Sequence, residues 1–118
     1  MERTWIGLAA LAGLLAVAMA AVSAHLVHDA TAAPMLGRAI QMQGWHALAL
    51  LFCGLWAPRG GWMADAAGAA FALGLVLFCG AVDALAIGGV SLGVLAPIGG
   101  TLLMLGWGLL LASALRAR

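Results

Sequence analysis

Few side chains in this 118-residue sequence could do chemistry, and they gather in three places. His25 and His28 stand three apart in Ser23-Ala24-His25-Leu26-Val27-His28-Asp29. Gln43 and His46 stand three apart in Gln43-Gly44-Trp45-His46, a spacing that puts both on one helical face. Asp83 stands alone in an apolar run. Imidazole and carboxylate are the usual proton-relay groups inside membranes, and both also ligate zinc or copper. His25, His28, His46 and Asp83 are therefore candidate metal ligands, and His25, Gln43, His46 and Asp83 are candidates for a polar layer that binds a ligand. Met19, Met35 and Met42 would suit copper(I), although methionine in an apolar helix more often packs. No GxSxG, HExxH or phosphate-binding glycine loop occurs, and Ser23 and Ser91 have no identifiable base or oxyanion partner. No enzymatic activity and no cofactor are expected. Cys53 and Cys79 are isolated, which suits small buried apolar side chains and not a zinc or disulfide framework.

The elements that must position these residues are membrane spans. The sequence is 66% hydrophobic and only 8% charged, whereas a soluble domain carries about a quarter charged residues. Lipid must solvate most of it. The net charge of +1 leaves no electrostatic footprint for nucleic acid. The expected fold is all-α: an integral membrane four-helix antiparallel bundle forming a single domain over 1–118, with spans at about 5–27, 42–57, 64–87 and 94–114. The basic start, apolar core and Val22-Ser23-Ala24 also fit a signal peptide. The first apolar stretch, however, exceeds the roughly 7–15 residues of a signal core, so an uncleaved helix is expected. Between spans one and two, 31–41 reads as a short interfacial helix, with Thr31 as its cap, Pro34 in its first turn and Arg38 turned to water. Pro58-Arg59-Gly60-Gly61 is the turn into the third span, and Gly88, Gly89, Ser91 and Gly93 make the next.

Four spans put Arg3, Arg59, Arg116 and Arg118 on one side and only Arg38 on the other. The positive-inside rule then places both termini in the cytoplasm. Trp5, Trp56 and Trp62 fall at the inner interface and Trp45 near the outer one, while Trp107 lies deeper. Ala9 and Gly13, Ala70 and Gly74, and Gly99, Gly100 and Gly106 offer flat faces for close helix approach. By depth, His25, Gln43, His46 and Asp83 share an outer layer, with His25 facing Gln43 and His46, and His46 or His25 as the partner of Asp83. Asp65 is the exception, near the inner end. Three uses of the layer stay open: a structural network that locks helix register, a proton or ion site, and a metal site.

The succession Ser23-Ala24-His25, Gln43-Gly44-Trp45-His46-Ala47-Leu48-Ala49-Leu50, Phe78-Cys79-Gly80, Ala96-Pro97-Ile98-Gly99-Gly100 and Gly106-Trp107 resembles the YgdD-like small inner-membrane proteins, a family of unknown function with mitochondrial relatives. The resemblance implies a four-helix integral protein of the bacterial inner membrane without an established activity. It carries a histidine after the first span onto His25, the Gln and His of the second onto Gln43 and His46, and a structural Pro-Gly-Gly turn onto Pro97, Gly99 and Gly100. Relatives tend to have a neutral polar residue near Asp83, which shifts weight from Asp83 to His25, Gln43 and His46. The expected function is structural or accessory to a membrane complex, with proton, ion or metal translocation as the alternative. The expected partners are the lipid bilayer and either a second copy of the chain or a larger complex.

Overall fold

The computed structural model of the chain describes residues 1–117. Arg118, counted above with the arginine-rich side, lies outside the described residues. The fold is all-helical, with α1 at Glu2–Leu26, α2 at Ala32–Gly88 and α3 at Leu95–Arg116. All three are long and apolar enough to cross a membrane. Among the described residues there are thus three helices where the sequence suggested four spans and an interfacial helix.

The difference lies in α2. Its 57 residues would reach about 85 Å if straight, yet the longest dimension of the molecule is 50 Å. The helix folds back at Gly61, whose φ of 60° and ψ of −146° are open to glycine but not to residues with a Cβ. The expected turn at Pro58-Arg59-Gly60-Gly61 is therefore confined to Gly61, with Pro58, Arg59 and Gly60 still helical. Two arms result, 32–60 and 62–88, pinned together by the Cys79 thiol, which donates to the Ala39 carbonyl at 3.5 Å.

No separate interfacial helix exists at 31–41, because the first arm runs without interruption from Ala32 through Gln41 and onward. Leu36 and Ala39 are fully buried, so the segment is packed as part of the arm. Thr31 makes no side-chain cap. Asp29 does that work instead: its Oδ1 accepts the amides of Thr31 and Ala32, both at 2.8 Å.

The α2 hairpin is the centre of the molecule. α1 and α3 each pack on α2 and not on each other. Trp5 and Ala9 of α1, Leu50 and Cys53 of the first arm, Ala67, Phe71 and Leu75 of the second, and Leu103 of α3 form one core. Close approach depends on glycine. A Cβ on Gly68 would lie 2.7 Å from the Trp5 indole, one on Gly106 would lie 2.6 Å from the Phe71 ring, and one on Gly74 would lie 2.9 Å from the Gly99 carbonyl oxygen. Gly13 and Gly100, also expected to be contact glycines, are not: nothing crowds Gly13, and Gly100 is in ordinary contact with Phe78. Pro97, Gly99 and Gly100 form no turn, since all three are helical positions of α3. The turn lies upstream, where Gly89 and Gly93 have φ of 67° and 48°.

The outer surface is apolar all round. Leu14, Val17, Leu48, Val76 and Met104 are each about two-thirds exposed or more. An apolar surface of this extent is tolerated only where lipid replaces water.

Candidate functional site

Gln43 and His46 lie on the first arm of α2 and are both buried. They share a face, as their spacing requires, but reach in different directions. Gln43 donates through Nε2 to the Ala12 carbonyl of α1 at 2.9 Å. His46 reaches α3, where the Trp107 indole N–H donates to Nε2 at 3.0 Å. Its Nδ1 lies 2.6 Å from the Met42 carbonyl, one turn back on its own helix.

These partners select one tautomer. A carbonyl can only accept, so Nδ1 carries the hydrogen. An indole N–H can only donate, so Nε2 presents its lone pair. Both ring nitrogens are then engaged within the protein. Phe71 closes the cluster from the second arm, with its ring 5.1 Å from that of Trp107 and 5.6 Å from that of His46. The cluster joins three helical segments through one imidazole.

His25 does not join it. The Gln43 contact on α1 is Ala12, thirteen residues before His25 and about 20 Å away along the helix. His25 is exposed at the last turn of α1, and His28 is exposed in the connection after it. The first arm begins at Ala32, ten residues before the start expected from the sequence, which moves Gln43 and His46 away from the end of the arm nearer His25 in sequence.

Asp83 also stands apart. His46 is occupied by Met42 and Trp107, and Asp83 Oδ1 is buried without a hydrogen-bond partner among the described residues. Nor do three metal-ligating side chains come together anywhere among those residues. The candidate set His25, His28, His46 and Asp83 is thus not a coordination shell in this fold.

A second polar level, missed in the sequence, sits toward the Gly61 end. The Trp5 indole donates to Asp65 Oδ1 at 2.7 Å, joining α1 to the second arm. The Trp56 indole donates to Ser113 Oγ at 3.0 Å, joining the first arm to α3, and Ser113 donates on to the Leu110 carbonyl at 2.7 Å. Arg59 lies over the Trp56 ring, 5.3 Å from its centroid. The available signal was Asp65 itself, a carboxylate inside an apolar run at the same end as Trp5. A buried indole N–H needs an acceptor as much as a buried carboxylate needs a donor.

Outside the spans, the two amide bonds from Ala32 and Thr31 hold the Asp29 carboxyl below its usual range, against a small opposing effect of desolvation.

No solved structure gives a significant match to the chain. A protein of Haemophilus influenzae described as "UPF0382 membrane protein" is 34% identical over 111 residues, covering 91% of this chain and 90% of that protein. Residues 19–100 match the family described as "Protein of unknown function (DUF423)". That match takes in the Gln43–His46 face, the Gly61 fold-back and the Gly74–Gly99 contact. The chain belongs to the DUF423 family, an uncharacterised family of membrane proteins.

Proposed function

We propose that the chain is a multi-pass protein of the bacterial inner membrane, close to the YgdD-like members of its family, and serves as a structural or accessory subunit of a membrane complex. In this reading the bilayer is crossed four times, by α1, by each arm of α2 and by α3, with both termini in the cytoplasm. Arms of 29 and 27 residues reach about 40 Å each, enough for a hydrocarbon core near 30 Å. Arg3, Arg59 and Arg116 lie at one end and Arg38 at the other, in keeping with the positive-inside rule.

The observation that carries a structural role is the commitment of His46. Its two nitrogens, like Gln43, Trp5, Trp56 and Ser113, are engaged in fastening the chain to itself. In hydrocarbon such bonds and close backbone contact are what hold helices together. Purification in mild detergent tests the reading. A partner protein or second copy in fixed stoichiometry is the expected result, and a chain that is monomeric and alone at its native expression level argues against it.

One observation favours the alternative of proton or ion handling: the buried, unpartnered Oδ1 of Asp83. A carboxylate in a span costs about 2.5–3.5 kcal/mol on insertion scales and is usually functional. Proton flux into vesicles carrying the protein that vanishes in Asp83→Asn would favour this reading over the structural one.

A further inference from the structure

The second polar level borders a cleft that none of the roles above uses. It measures about 140 Å³ and is lined by Arg59, Gly60, Gly61, Trp62, Ser113 and Arg116, among others. That is the space of roughly five water molecules. The fold brings its two arginines together from distant places, Arg59 from the last turn before the Gly61 break and Arg116 from the last turn of α3. Both are exposed, and Asp65, the carboxylate nearest in sequence, is turned away to accept from Trp5.

The backbone at the break is itself part of the wall. Gly60 has no room for a side chain, since a Cβ there would lie 2.5 Å from the Trp56 indole nitrogen. Gly61 requires its positive φ. Trp62 and Met63, which also line the cleft, open the second arm, where the helix dipole is positive. Two guanidinium forks beside a helix start favour one kind of ligand, a phosphate oxyanion. Trp62, 68% exposed, stands at the rim as an interfacial anchor does.

We propose that the Arg59–Arg116 cleft binds a phosphate group, that of an anionic phospholipid headgroup or a free phosphate ion. The lipid source rests on the reading above, which sets this end of the bundle at the cytoplasmic interface, where basic pockets between spans hold anionic headgroups.

The test is lipid retention by the full chain in mild detergent, read by native mass spectrometry with phosphatidylglycerol and phosphatidylcholine offered in equal amounts. The wild type is expected to retain one phosphatidylglycerol in preference. Arg59→Gln with Arg116→Gln is expected to cut that retention about tenfold or more, the worth of one charge-assisted hydrogen bond. Arg38→Gln, at the opposite end, is expected to leave it unchanged. In the second arm inorganic phosphate is titrated against thermal melting in a neutral detergent without lipid. Stabilisation that disappears in the double variant, without any headgroup preference, assigns the cleft to the free ion. If the double variant is not monodisperse, Arg116→Gln alone carries both arms. Equal retention of the two lipids together with no phosphate effect overturns the proposal, as does a preference that survives in a folded double variant. Labelling of Ala117→Cys from either side of the membrane reads the topology separately, so failure of the topology and failure of the cleft are distinguishable.

Discussion

The indole of Trp107 donates to Nε2 of His46 at 3.0 Å, and this bond joins α3 to the first arm of α2 in the middle of the bundle. Because Nδ1 of the same ring faces the Met42 carbonyl, the imidazole is held in one tautomer between a donor and an acceptor. His46→Ala removes the ring from a site that is 3% exposed and strands both partners. A loss of about 2–4 kcal/mol is expected from the cavity and the unmade bonds together. A double-mutant cycle with Trp107→Phe should give a coupling of about 0.6–1.7 kcal/mol, the range for hydrogen bonds between membrane helices. Unfolding in mixed micelles measures both, and a coupling near zero would show that the bond contributes nothing.

Gly99→Ala is expected to be among the most damaging single-methyl additions in the chain. Its Cβ would lie 2.8 Å from the Gly74 carbonyl oxygen and close to the backbone of Phe78. Backbone cannot swing aside as a side chain can, so α3 must move off α2, at about 1–3 kcal/mol. Gly100→Ala, one residue on, would meet Phe78 at an ordinary 3.9 Å and should change stability little. The same micelle unfolding separates the pair, and equal effects would disprove the close contact.

Trp5→Phe keeps most of the ring packed against Gly68 while removing the hydrogen bond to Asp65. The carboxylate then lacks its donor, and a loss of about 1–3 kcal/mol is expected. Asp65→Asn retains an acceptor oxygen for the indole and should cost less. Thermal melting of the two variants gives the order directly. A reversed order would mean that ring packing or charge, and not the bond, dominates at this site.

Asp29 supplies the pH dependence that can be read outside the spans. Its folded-state carboxyl titrates below the usual carboxylate range, because the Ala32 and Thr31 amides stabilise the ionised form. The stabilisation is therefore present above the unfolded value and is lost as pH falls through the lower folded one. Protection of the Thr31 and Ala32 amides, taken relative to their intrinsic exchange rate at each pH, should fall on acidification into that range in the wild type. In Asp29→Asn that pH-dependent fall in protection should disappear, and an unchanged fall would remove the carboxylate as its cause.

Composition and the placement of breakers determined much of this protein by themselves. An apolar sequence with so few charges has to be solvated by lipid, and helices are the way a chain satisfies its backbone there short of a closed barrel. Gly61 and the Gly89–Gly93 stretch mark the reversals because only glycine tolerates their positive φ. The tertiary structure decided which polar residue meets which. In a soluble helix, water picks out the polar face and reveals rotation and depth. Here both lipid and core are apolar, so periodicity carries no such signal. Contacts such as Gly74 on Gly99 and Gly68 on Trp5 set depth instead. They bring Gln43 to Ala12 and not to His25, and His46 to Trp107 and not to Asp83.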